Sequence, residues 1–200
     1  MRYSKEHKAE TKAKILKAAL GKFRSEGYGG IGIDGITKAA GVTSGAFYTH
    51  FGSKADAFRG TVVEGLEQLR IAIENNRDEG DKDWLANFAT WYLSLPKART
   101  KTDPDCLLPM QGGCALPTLT PEVVRAGKET QSAYQQEIKE IINAINLGLS
   151  DDVKNKQQFS WSMLAMLIGG VTLARSVRDR KVAAEISDAI LQSINDLQNK

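Results

Sequence analysis

Apolar residues recur three and four positions apart along most of the chain, and nowhere alternate long enough to make a convincing strand, so the pattern predicts an all-α protein. Thr11 to Glu26 reads as the first helix, with Ile15, Ala19 and Phe23 as its stripe and Leu16 and Leu20 beside it. Gly27 ends it, and Tyr28 is placed to fold back on the last turn. After a glycine-rich connector, Ile33, Ile36 and Ala40 give a short second helix one buried face. Gly41 interrupts, as a glycine does where the chain must leave a helix with positive φ. Val42 anchors the turn, and Thr43 or Ser44 can cap a third helix, Ser44 to Phe51, in which Phe47 and Phe51 share a face. Ser53, with Asp56 three residues on, starts a fourth helix that carries Phe58, Val62, Leu66, Leu69 and Ile73 and stops at Asn75-Asn76 or soon after.

Beyond a charged connector at 77–83, Asp83 to Leu95 predicts an aromatic-rich helix ended by Pro96. The stretch CLLPMQGGCALPTLTP has three prolines and paired glycines, which exclude one continuous helix. Thr120-Pro121-Glu122 looks like a helix start, running to about Leu149 with Ile138, Ile141, Ile142 and Ile145 in its stripe. Ser150-Asp151-Asp152 is expected to cap a helix from 151 to about 178, and Lys181 to Gln198 is the last, with Val182, Ile186, Ile190 and Ile194 on one side.

Charge divides the chain. Residues 1–60 hold 11 Lys/Arg against 5 Asp/Glu, and residues 61–200 hold 16 against 19. A basic front on a mildly acidic remainder is the footprint of a nucleic-acid-binding module joined to another domain. The start, MRYSKEHKAETK, is charged where a secretory signal would be apolar, and the longest apolar run, Met163 to Ala174, is too short to span a bilayer. The expectation is a soluble cytoplasmic protein with its two cysteines reduced and no membrane partner. The only histidines are His7 and His50. Neither is placed to serve Cys106 or Cys114, so a Cys–His enzyme, a zinc site and any other cofactor are not expected.

The exposed set left by Phe47 and Phe51 on the third helix is short and polar or small, apart from Tyr48; such residues let a helix sit deep in the major groove. Here the chain resembles a known family. AAGVTSGAFYTHFGSK is similar to the recognition segment of the TetR family of bacterial one-component repressors, with Gly41, Val42, Thr43, Gly45, Tyr48, His50, Phe51, Ser53 and Lys54 at the patterned positions. The resemblance implies a three-helix helix-turn-helix DNA-binding domain at residues 1–52, and a larger helical ligand-binding and dimerisation domain at 53–200 joined to it by the helix 53–76. Thr43, Tyr48, His50 and Lys54 would position the protein on the phosphates of double-stranded operator DNA. Ser44, Ala46, Phe47 and Thr49 would face the bases, Phe47 being core in the other reading, with Gly45 allowing close approach. Gly32 stands where the family usually has a Thr or Ser that also contacts phosphate, so that contact is not carried over.

The 151–178 helix is apolar on more than one stripe. With Gly169-Gly170 permitting close approach, it could meet a second copy of the chain alongside Ile186, Ile190 and Ile194, as the family's last two helices do in its homodimers. The family also places an inducer pocket among the middle helices. Trp84, Phe88, Trp91, Tyr92, Met110, Trp161 and Met163 supply flat or polarisable surface for an apolar or aromatic small molecule, though each could equally be core. QGGCALPTL is similar to a G-C-x-x-x-x-L element of many members, in some of which the cysteine reacts with electrophiles or oxidants. Cys114 would line the pocket or carry that role, with Cys106 as a resolving partner. No Lys or Arg lies between 102 and 124 to lower a thiol pKa, and buried inert thiols are the other reading. The expected function is therefore a dimeric repressor released from a pseudo-palindromic operator by a small-molecule inducer, or, alternatively, by a thiol trigger.

Overall fold

The computed structural model describes residues 5–78, 83–94 and 114–198. Among them are nine helices and no strand: α1 (Lys5–Gly30), α2 (Ile33–Ala40), α3 (Ser44–His50), α4 (Lys54–Asp78), α5 (Trp84–Leu93), α6 (Ala115–Val123), α7 (Lys128–Gly148), α8 (Lys156–Ser176) and α9 (Arg180–Gln198). They form two compact units. One takes the described residues up to Gln68 together with α6 and the start of α7 to Ile138, and the other takes the remainder.

In the first unit the predicted stripe of α1 is core: Ile15, Ala19 and Phe23 are fully buried. The helix breaks at Gly27, whose φ of 72° is open to glycine and costly for other residues. The break turns Tyr28 back so that its ring stacks on Phe23 at 5.8 Å and meets Phe58 edge-on at 5.0 Å. Each buried aromatic ring contributes roughly 1.5–3 kcal/mol through its removal from water. The capping box of α4 forms as the sequence implies, with Asp56 N–H donating to Ser53 Oγ at 3.1 Å and Ser53 Oγ donating to Asp56 Oδ2 at 2.8 Å.

The stretch read as irregular is partly helical. α6 starts after Cys114 and contains Pro117 in its first turn, where no N–H is needed, and Pro121 near its end, where only one bond is lost. Thr120 therefore does not cap the next helix. Its hydroxyl lies 3.0 Å from the Tyr134 hydroxyl instead, and α7 begins only at Lys128, after a turn closed by Arg125 N–H to Glu122 O and Ala126 N–H to Val123 O.

In the second unit the Trp84 indole N–H donates to the Gly148 carbonyl at 2.9 Å and fastens α5 to the end of α7. The start of α8 differs from expectation: Asn155 caps it by accepting from Gln158 N–H at 3.1 Å, while Ser150 closes a separate turn with Asp152. Gly170 is buried, and a Cβ there would stand 3.0 Å from both Ile190 and Leu93. Its missing side chain lets α8, α9 and α5 approach one another. Gly170 and the buried Ile194 thus serve the chain's own core, which corrects their assignment to a surface for a second copy. Gly169 is exposed, and Ile186 and Ile190 are half-buried.

Candidate nucleic-acid interface

α2 ends in Gly41 at φ 66°, and the Gly41 and Val42 N–H groups close on the Lys38 and Thr37 carbonyls at 3.3 and 3.0 Å. This fixes the turn between α2 and α3 without any side chain. Thr43 then caps α3, its Oγ1 accepting from Ala46 N–H at 3.2 Å. Ser44 Oγ reaches Asp34 Oδ1 at 3.4 Å and ties the start of α3 to α2.

Phe47 is fully buried and lies 5.5 Å from Phe51 between ring centroids. It cannot face the bases, so that expectation is corrected: Phe47 holds α3 in place from below. Thr43, Ser44, Gly45, Tyr48 and Thr49 are exposed, and Ala46 and His50 are half-buried. Tyr48 has 57% of its surface open and rests edge-on against Phe47. The Thr49 hydroxyl donates to the Gly45 carbonyl at 2.9 Å, which leaves its oxygen available as an acceptor.

Two basic residues join this edge from α1. That helix begins by Lys5, ahead of the Thr11 expected from the apolar pattern, so Lys8 sits on it. Lys8 and Lys12 share one face four residues apart, and both act electrostatically on His50 at the end of α3. His50 is held below the ordinary histidine range, first by burial and then by these two lysines. The i, i+4 spacing was visible in the sequence; its convergence with α3 was not. Lys54 Nζ lies 4.5 Å from the centroid of the Tyr28 ring, a cation–π contact that aims it from the first turn of α4. Arg59 differs, being tied to Asp56 at 2.8 Å and to Glu129.

Residues 15–59 match the family model described as bacterial regulatory proteins, tetR family. The match covers the helix-turn-helix part of the chain, α1 to the start of α4. AcrR of Shigella flexneri, an HTH-type transcriptional regulator, is 44% identical over 94 residues, which is 47% of this chain and only 40% of AcrR. LmrA of Bacillus subtilis, another HTH-type regulator, is 27% identical over 187 residues, 90% of this chain and 95% of that one. Among solved structures, the reduced form of E. coli NemR shares the fold, with a TM-score of 0.77 at 18% identity over 94% of this chain and 96% of NemR. Among the described residues, no helix is long and apolar enough to cross a membrane.

The residues expected to meet a small molecule are dispersed. Phe88, Trp91 and Tyr92 cluster on α5, with Phe88 5.6 Å from Trp91 and 5.9 Å from Tyr92. Trp84 and Met163 are buried in the second unit, Trp161 is exposed on α8, and Cys114 is buried in the first unit at the start of α6. Met110 and Cys106 lie outside the described residues.

Proposed function

We propose that the protein is a cytoplasmic transcriptional repressor that binds a pseudo-palindromic DNA operator as a homodimer and lets go when a small molecule enters residues 53–200. The observation that carries the reading is the exposed polar edge of α3, seated on buried Phe47 and flanked by Lys8, Lys12 and His50. In this reading residues 1–52 read the DNA and α4, from Lys54 on, couples the two functions. Thr43, Tyr48, His50 and Lys54 sit on phosphates. Ser44, Gly45, Ala46 and Thr49 face the major groove, where small side chains permit close approach. Each phosphate neutralised by Lys or Arg steepens the salt dependence of binding by close to one unit of slope.

The test is a salt titration of DNA binding, using an operator selected from a random pool. Tyr48→Ala should weaken binding across sequences. Lys54→Ala and Lys12→Ala should each do so while lowering the salt slope by about one. Titrations superimposable on wild type for all three variants would take this face out of the interface.

A second reading keeps the DNA-binding half and makes Cys114 a thiol trigger. It is favoured by one observation: Cys114 lies at the amino end of α6 and interacts electrostatically with Arg24 of α1, which supplies the cation that the neighbouring sequence lacks. Under it, Cys114→Ser abolishes release from DNA, whereas a drug-type inducer still releases that variant under the first reading.

A further inference from the structure

Arg24 stands out among the buried polar groups. Only 9% of its surface is exposed, and its Nε is buried with no hydrogen-bond partner among the described residues. The single acid of α6, Glu122, is held by Arg125 at 3.3 Å. A guanidinium in such surroundings is costly to keep charged, and burial lowers its pKa, while the nearby Cys114 pulls the other way.

Its surroundings have the chemistry of an anion site. Arg24 Nη2 lies 3.4 Å from the point where a Cβ on Gly65 would stand, and the Ala115 Cβ lies 2.5 Å from the same point. The guanidinium therefore ends beside the first residue of α6. That helix has no side-chain cap hydrogen bond and no acidic residue in its first turn, so neither offsets its positive end. Tyr134 is raised above its ordinary range by burial and, more weakly, by Cys114, and it remains a neutral hydroxyl paired with Thr120. Buried Cys114 thus acts electrostatically on both Arg24 and the half-buried Tyr134 within the first unit.

We propose that the Nε–Nη2 edge of Arg24, with the amino end of α6, is a carboxylate-binding subsite, and that the small molecule whose entry releases the protein from DNA is an organic acid. This rests on the first reading above and names the ligand chemistry. A guanidinium edge offers two parallel N–H donors, which the two oxygens of a carboxylate match and a single sulfur does not.

The experiment is thermal unfolding and calorimetry of the full chain with hexanoate and benzoate, each against its neutral amide at matched ionic strength. Saturable stabilisation by the acids and not the amides is expected in wild type. In Arg24→Gln and Arg24→Met, affinity for the acids should fall about 10- to 100-fold, the loss of a charge-assisted hydrogen-bond pair. Without ligand, Arg24→Met should melt higher than wild type, because a buried charge whose Nε has no partner among the described residues has gone. The proposal is overturned by acids and amides acting alike, by variants that respond as wild type does, or by a ligand-free Arg24→Met that melts lower. An ultraviolet thiolate band at neutral pH, absent from both Cys114→Ser and Arg24→Met, would also overturn it, by assigning the anion to Cys114. Arg24→Met should still bind the selected operator, so failure of the carboxylate subsite is distinguishable from failure of the regulator reading.

Discussion

His50 is where local electrostatics and recognition meet. Its charged form is disfavoured in the folded chain by burial and by Lys8 and Lys12, so the unfolded chain binds the proton more readily. Stability is therefore full above the ordinary histidine value of about 6.5, and declines as pH falls through it toward the lower folded value. Under the DNA-binding proposal, DNA reverses the sign. A phosphate beside His50 favours the imidazolium and offsets the two lysines, so binding takes up a proton. Wild-type affinity should rise from pH 8 to pH 6 more steeply than that of His50→Gln, measured by anisotropy at fixed salt. Parallel curves for the two proteins would place His50 off the phosphate path.

Among the helices, the turn after α2 shows how much one backbone position controls. Gly41 sits at φ 66°, and no atom lies within 4 Å of where a Cβ would be. Gly41→Ala is therefore penalised by conformation alone, at about 1–2 kcal/mol, and chemical denaturation should show a lower midpoint with an unchanged slope. α6 teaches the opposite lesson. Two prolines and the preceding glycines speak against a helix locally. Even so Leu116, Leu119 and Val123 are buried and Gly65 admits Ala115 at close range. Tertiary burial outweighs propensity there, and Thr120-Pro121-Glu122, a good start signal on paper, falls inside the end of α6.

At the scale of the molecule, the unpartnered apolar surface on the last two helices bears on assembly. Leu173 is 59% exposed and Leu197 is 38% exposed, whereas Gly170 and Ile194 are used up inside the chain. Under the dimer proposal, Leu173→Glu should shift sedimentation toward the monomer and weaken operator binding much more than a phosphate-contact variant, because one half-site alone makes a small interface. A dimer unaffected by Leu173→Glu would move the association surface elsewhere. The basic front of the chain should also make DNA binding fall steeply with salt.

Periodicity and glycine placement by themselves determined that the chain is helical, that α1 breaks at Gly27, and where α2 and α3 lie, whereas α1 begins well before the Thr11 that the pattern marks. Those features depend on residues near one another in sequence: Gly27 and Gly41 for backbone sign, Thr43 and Ser53 for caps. Only the tertiary structure decided between core and groove for Phe47, and decided that Lys8 and Lys12 act on His50, that Gly170 packs α8 on α9, and that Arg24 and Cys114 interact. Each of these turns on which helices meet. A side chain's charge cost and exposure are set by its neighbours in space, and spacing along one helix carries no record of them.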